Sequence, residues 1–178
     1  QRAVAERWKQ VTGCTLTQAW GLTETSPGAC INPLDAPDFN GSIGLPISST
    51  IITIRDDDGN ALPVRQSGEI CVEGPQVMRG YWNRQDETDK VMIDGRILRT
   101  GDIGYMDEQG YVFIEDRKKD MILVSGFNVY PNEVEGVVVS HPGVLEAAAV
   151  SQPDERAGEV VALFVVKKDP SLTEEALI

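Results

Sequence analysis

The 178-residue chain is 41% hydrophobic and carries 28 acidic against 16 basic residues, a formal net charge of −12. That balance excludes a nucleic-acid binder, which needs a surplus of Lys and Arg on one face, and no uninterrupted apolar run approaches the roughly 20 residues of a membrane span. The composition is that of a globular protein with one ordinary domain or two small ones, expected to be cytoplasmic or to touch membrane only peripherally.

Gln1–Gln10 is a charged helical pattern and not a secretory signal. The missing initiator Met, with a helix already under way at Arg2, predicts a segment excised from a longer chain. A helix is expected over Ala3–Gln10, closed by Gly13 as a C-terminal Gly closes one. Cys14–Ala19 reads as a short strand delivering the segment Trp20–Pro27, where Gly21 and Pro27 forbid regular structure and force a loop.

From Gly41 to Asp116 the pattern is one of strands separated by turns. Thr50–Ile54 is β-branched throughout, Asp58-Gly59 is a turn dipeptide, and Gly68–Glu73 is a second strand. Gln76–Trp82 and Asp86–Met92 read as short helical turns, and Tyr105–Ile114 as a hairpin around Glu108-Gln109-Gly110. After Asp116 the character changes. Met121–Val124 and Phe127–Tyr130 are short strands hinged at Gly126, Pro131 opens a helix through Ser140, Val144–Val150 and Val160–Val166 are apolar strands, and a helix starts at Leu172. The expected fold class is α+β: a small twisted β-sheet or open-barrel subdomain (about 41–116) followed by a small α+β domain. The boundary is expected at Asp116–Lys119, dividing the chain into 1–116 and 117–178.

Cys14, Cys30 and Cys71 are odd in number and lack a C-x-x-C pair, so they read as reduced thiols and not as a disulfide framework or zinc site. The single His141, before Pro142-Gly143 at a helix end, makes a triad or metal cluster improbable. Three other segments could carry chemistry. Trp20-Gly-Leu-Thr-Glu-Thr-Ser-Pro27 offers a Gly for close backbone approach, hydroxyls and the carboxylate Glu24, able to hold a hard cation or bond phosphate oxygens; it is equally a plain turn. Arg99-Thr-Gly-Asp102 puts a carboxylate at a strand end, where it can accept from two vicinal hydroxyls as acids that recognise ribose do, or simply close a turn. Asp116-Arg-Lys-Lys-Asp120, followed by the Gly126 hairpin, sits where the structural rhythm changes. It is either a hinge or only a solvated connector.

Together and in this order, the three segments resemble the adenylate-forming superfamily of acyl-CoA synthetases, luciferases and peptide-synthetase adenylation domains. Trp20-Gly-Leu-Thr-Glu-Thr is similar to its Y-G-x-T-E loop, Thr100-Gly-Asp102 to its T-G-D, and Asp116–Asp120 with Ser125-Gly126 to its hinge and hairpin. The 15-residue separation of Asp102 and Arg117 agrees with the family spacing. Gly80-Tyr-Trp-Asn-Arg84 and Gly126-Phe-Asn-Val-Tyr-Pro-Asn-Glu133 are most similar to bacterial long-chain fatty acid–CoA ligases. The likeness runs from end to end and implies the end of a large AMP-binding domain followed by the start of a small one.

The resemblance implies a ligase using ATP, Mg²⁺ and coenzyme A, with a fatty acid as substrate and no nucleic-acid partner. A carboxylate attacks the α-phosphate of ATP to give acyl-adenylate and pyrophosphate; the thiol of coenzyme A then displaces AMP. It further implies roles by position. Glu24 would bind Mg²⁺, Thr23 would bond the α-phosphate, and Gln18, Ala19 and Trp20 would flank the adenine. Asp102 would accept from the ribose hydroxyls, Ile114 would line the nucleoside pocket, and Arg117 would donate to the ribose. Lys119 would be the pivot of the small domain, and Gly126 would let the hairpin approach the pantetheine channel.

Trp20 departs from the family's Tyr, keeping a ring that can cover adenine but presenting an N–H donor where the family has a hydroxyl. The family's Ser/Thr/Gly-rich phosphate loop has no counterpart before Trp20, and its adenylation Lys lies beyond Ile178. Losing one well-placed donor costs about 100- to 1000-fold in rate, so the segment by itself is expected to be inactive. Two alternatives stand beside the fatty-acid reading: a ligase for an aryl or amino acid, and a non-catalytic module that binds nucleotide or a partner.

Overall fold

Helix α1 (Arg2–Thr12) opens the chain in a computed structural model that describes residues 2–36 and 38–177, with the side chains of Arg2, Ala3 and Glu175 left aside. Gly13, at φ 72°, ends α1 by donating its N–H to the Lys9 carbonyl at 2.9 Å, the left-handed C-terminal cap expected from the sequence. Two compact units follow from the contacts, Gln1–Ile114 and Glu115–Ile178. The division falls inside one strand.

In the first unit, β1 (Ala19–Trp20), β2 (Cys30–Ile31) and β3 (Leu45–Pro46) form a small antiparallel sheet in that order. The expected strand over Cys14–Ala19 is therefore corrected: only its last residue pairs, because β2 offers a partner ladder from Ala19 onward and none is found for Cys14–Gln18 among the described residues. Strands β4 (Ile51–Arg55) and β5 (Gly68–Glu73) come next, then helix α2 (Gln85–Val91), then β6 (Met92–Ile93), β7 (Ile97–Met106) and β8 (Val112–Arg117). They form one sheet in the order β4-β5-β7-β6, with β8 also on β7, curled into a half-barrel. A register shift between Glu69 and Cys71 is the kind of irregularity that bends a sheet. The short helix expected over Gln76–Trp82 is absent. Gly80, at φ 151°, leaves the helical region, and the Tyr81 N–H is taken at 2.9 Å by the Thr88 hydroxyl of α2.

Alternation places the core. Ile52 and Ile54 on β4, Ile70 and Val72 on β5 and Val112 on β8 are buried together with Cys30 of β2 and the preceding Ala29, and Trp20, Ile43, Met106 and Ile114 pack around them. Each such aliphatic side chain is worth roughly 1.5–3 kcal/mol when fully withdrawn from water. All three cysteines are free. Burial pushes the Cys30 thiol up to about 12, so it is a packing residue with no thiolate character.

In the second unit, β9 (Ile122–Val124) and β10 (Phe127–Val129) form a two-residue hairpin at Ser125-Gly126, both at positive φ (51° and 85°), the geometry that matches strand twist. Helix α3 (Pro131–Val139) follows with Pro at its start, then the long antiparallel pair β11 (Val144–Asp154) and β12 (Gly158–Lys167). The sheet order is β10-β9-β12-β11. Val138 of α3, Val144 and Leu172 form the buried centre. The helix expected from Leu172 is, among the described residues, a single 3-10 turn at Glu174–Ala176. The α+β class with a curled sheet is as the sequence predicts.

Gly104 sets the closeness of β7 and β8: a Cβ there would lie 2.0 Å from the Phe113 carbonyl oxygen. Backbone cannot yield as a side-chain end can, so Gly104→Ala is expected to cost about 3 kcal/mol or more in stability. Thermal unfolding of the full-length protein checks this, and a midpoint within about 2 °C of the parent would contradict it.

Candidate functional site

Pairing of β1 with β2 turns the chain back on itself between Trp20 and Cys30. The Ala29 N–H donates to the Trp20 carbonyl at 2.9 Å. Gly21 is where the return leg comes closest; a Cβ there would be 1.7 Å from the Pro27 carbonyl oxygen, so the loop closes only over a residue without one. Thr25, fully buried, holds the interior. Its hydroxyl oxygen accepts from the Leu22 N–H at 2.8 Å and lies within donating distance of the Leu22 and Pro27 carbonyls. The loop is thus a built structure, with Thr23–Thr25 as a 3-10 turn that leaves Thr23 exposed and Glu24 half-buried.

Glu24 is held from outside the loop. Its carbonyl accepts the Met78 N–H at 2.8 Å, and its carboxylate accepts the Tyr81 hydroxyl, also at 2.8 Å. Burial first, then this bond and the Glu24 and Glu87 charges, raise the Tyr81 phenol above its ordinary range. No group of three or more His, Cys, Asp or Glu side chains converges on one point among the described residues. At this loop the donors are one carboxylate, Glu24, beside hydroxyls. That fits Mg²⁺, which commonly takes one or two carboxylates and draws its other ligands from substrate phosphates and water, better than a cation that needs a full protein cage.

The Thr100-Gly101-Asp102 stretch lies within β7 and is braced by its neighbour β5. The Thr100 hydroxyl donates to the Ile70 carbonyl at 2.7 Å and accepts the Asp102 N–H at 3.1 Å. Glu69 accepts the Gly101 N–H at 3.1 Å with one oxygen and faces Arg99 at 3.3 Å with the other. Asp102 is only 3% exposed. Its carboxylate accepts the Trp20 indole N–H at 3.0 Å, so the loop and the strand-borne acid meet across 82 residues of sequence. Trp20 and Ile114 pack on the same apolar cluster. Gln18 ties to the loop's far side, its carbonyl accepting the Asn32 N–H at 2.9 Å, and Ala19 pairs with Ile31.

Arg117, Lys119 and Gly126 belong to the second unit. Asp116, 3% exposed, accepts the Arg117 N–H at 2.7 Å and, with its other oxygen, the Asn132 N–H at 3.0 Å. That second bond caps α3, whose own N-cap residue Tyr130 supplies no side-chain bond. A carboxylate there also complements the helix dipole. The Arg117 carbonyl accepts the N–H groups of Asp120 and Met121, so the Lys118-Lys119 segment is a closed turn. Arg117 and Lys119, both exposed, line a cavity of about 590 Å³ with Asp116, Asn132, Ser151 and Glu159. Gly126 sits at the exposed hairpin tip, with open space where a Cβ would be.

Three residues of this constellation were not singled out from sequence. Glu69 left no signal, because strand alternation groups it with Cys71 and Glu73 and opposite the core residues Ile70 and Val72. Thr25 and Tyr81 left none beyond their place in the resembling motifs.

Models of the AMP-binding enzyme family match residues 1–82, and of its C-terminal domain residues 133–178, between them well over half of the chain. The chain belongs to the AMP-binding enzyme family. It is 58% identical over all of its 178 residues to a long-chain-fatty-acid–CoA ligase of Escherichia coli O6:H1, covering 32% of that protein; it thus spans about a third of the length of the curated relatives it matches. Among solved structures, the ATP-bound MatB of Rhodopseudomonas palustris superposes with a TM-score of 0.92 at 34% identity, over 99% of this chain and 35% of that one. The o-succinylbenzoate–CoA synthetase of Bacillus subtilis, in complex with its acyl-adenylate intermediate, superposes with a TM-score of 0.86 at 34% identity, over 98% and 36%.

The Asp116 cap generates a test that does not depend on activity. Asp116→Ala removes two buried acceptor bonds and is expected to destabilise the second unit by about 1–3 kcal/mol. Hydrogen exchange at the first-turn amides of α3 should accelerate accordingly; unchanged protection there would show that Asp116 does not hold the helix.

Proposed function

We propose that this chain is the nucleotide-gripping and hinge segment of an ATP-dependent long-chain fatty acid–CoA ligase. The single observation that carries the reading is the Trp20–Asp102 hydrogen bond, which joins the motif expected to cover adenine to the acid expected to hold ribose. The 58% identity to the fatty acid ligase, against 34% to the MatB and o-succinylbenzoate enzymes, favours a fatty carboxylate over other acids. Residues 1–116 then close the large AMP-binding domain, and 117–178 begin the small one.

In the first half-reaction a carboxylate oxygen forms a bond to the α-phosphorus while the bond to the bridging oxygen breaks, and pyrophosphate leaves with the electron pair. Carboxylate and thiolate are adequate nucleophiles once placed, so positioning and electrostatic stabilisation are what the chain must supply. Thr23 donates its hydroxyl to an α-phosphate oxygen. Gln18, Ala19 and the Trp20 ring flank adenine, Ile114 lines the nucleoside pocket, and Asp102 accepts from the ribose hydroxyls. Glu24 would hold Mg²⁺, which when bound neutralises charge on the phosphate oxygens. In the second half-reaction the sulfur of coenzyme A bonds to the acyl carbon and AMP departs; Arg117 donates to the ribose, Lys119 is the pivot, and Gly126 keeps the hairpin tip slim enough to approach pantetheine. The enzyme is read as cytoplasmic, meeting its lipid substrate by peripheral contact with the inner membrane. No helix of the described residues is long and apolar enough to cross a bilayer.

ATP–pyrophosphate exchange by the full-length protein tests the reading. Exchange is expected with long-chain fatty acids, and Asp102→Ala should weaken ATP affinity by roughly 10- to 100-fold, the worth of charge-assisted hydrogen bonds. No exchange with any carboxylate, together with unchanged ATP affinity in the variant, would leave a non-catalytic module. A second expectation concerns the pivot. Lys119→Pro restricts φ and should impair one half-reaction at least ~10-fold more than the other, measured by single-turnover adenylation and thioesterification; equal losses would argue against a pivot at this residue.

A further inference from the structure

The position where this chain departs from the family's usual residue is the one that touches the ribose-reading acid. An indole N–H only donates, so the Asp102 oxygen facing Trp20 must accept; a phenol in the same place could donate or accept. The donor is held by hydrophobic packing. Trp20 is half-buried against the cluster of Ala29, Cys30, Ile52 and Ile70, and its backbone is paired with Cys30. Beneath Asp102 the backbone is tied in turn, its N–H to the Thr100 hydroxyl and that hydroxyl to the Ile70 carbonyl. Main chain and side chain of the acid are therefore fixed by separate contacts.

The N–H lies in the plane of the indole, whereas stacking uses its face. One ring can thus orient the acid with its edge and cover a base with its surface. Of the two carboxylate oxygens, Oδ2 is the one that faces the indole.

We infer that Trp20 is a specificity-determining positioning residue: its indole N–H orients the Asp102 carboxylate for a vicinal diol, so the chain discriminates ribonucleotides from 2′-deoxyribonucleotides through a residue expected only to cover the base. The inference rests on the ribose reading of Asp102 given above. Its consequence is selective. Loss of the N–H, with an aromatic ring kept, weakens recognition of the diol and leaves base stacking in place, so a ligand lacking the 2′-hydroxyl should scarcely notice.

The test is the dissociation constants of AMP and 2′-deoxy-AMP, by titration calorimetry, for the full-length parent, Trp20→Phe and Asp102→Ala, with replacement of Trp20 by benzothienylalanine, whose sulfur stands in place of the indole N–H, as a second ring-keeping variant should Trp20→Phe unfold. In Trp20→Phe the ratio of the two constants is expected to fall by about 5- to 10-fold, the worth of one hydrogen bond to a charged group, while the 2′-deoxy-AMP constant stays within about 2-fold of the parent. A ring that merely packs or covers would raise both constants by the same factor, and an unchanged ratio in the ring-keeping variants overturns the inference. The ribose reading is tested separately. If Asp102→Ala leaves both the AMP constant and the ratio at parental values, the acid does not read the sugar and both claims fall; if Asp102→Ala lowers the ratio but Trp20→Phe does not, only the positioning role is lost.

Discussion

One N–H group connects the parts of the first unit that matter. The Trp20 indole reaches the Asp102 carboxylate across 82 residues, and neither end could be where it is without the folding around it. Trp20 depends on the two-residue pairing of β1 and β2 and on a loop that closes only because Gly21 has no Cβ. Asp102 depends on β7 lying beside β5, where Glu69 and the Ile70 carbonyl brace the preceding two residues. A buried carboxylate without a donor partner would be costly; here the cost is offset by a donor, the Trp20 indole N–H, whose own position is set by the apolar cluster. Local geometry and core packing therefore meet in one bond.

Glu69 shows how much polar scaffolding such an arrangement requires. It is a buried acid beside the buried Ile70, Cys71 and Val72, facing a guanidinium and a backbone N–H with its two oxygens. Breaking a buried pair is far more destabilising than the pair is stabilising, so residues of this kind are better understood as fixing a conformation than as adding stability. Tyr81 does the corresponding work at the loop surface, directing the Glu24 carboxylate with a hydroxyl that is only partly withdrawn from water.

Much of this was legible in the residues. The Gly13 cap, strand Gly68–Glu73, the hairpin at Ser125-Gly126 and the Pro131 helix start all follow from local chemistry that tertiary contacts did not override. Errors arose where a partner decides. Leu16 and the Thr residues beside it suit a strand, yet a strand is a pairing, and only Ala19 and Trp20 have one. Residues 76–82 have helical composition in places, but Gly80 at positive φ and the capture of the Tyr81 N–H by Thr88 break any continuous helical run. The motifs located the loop, the strand-borne acid and the connector; they could not reveal which atom of Trp20 touches what, since an 82-residue contact has no local signature.

Two acids, equally buried, show why residue type alone does not assign a role. Asp102 and Asp116 are each 3% exposed and each ends or adjoins a motif of the same family pattern. Asp116 spends one oxygen on its neighbour's N–H and the other on the first turn of α3, so its charge is consumed in joining the connector to a helix. Asp102 is met by a side chain, the edge of the Trp20 ring. Backbone partners come with the fold and cannot be exchanged without unfolding it. A side-chain partner can be changed while the fold stays, so evolution can retune Asp102 and not Asp116. A Trp where the resembling motif has Tyr is a change of that retunable kind, and it falls on the acid whose orientation a sugar would sense.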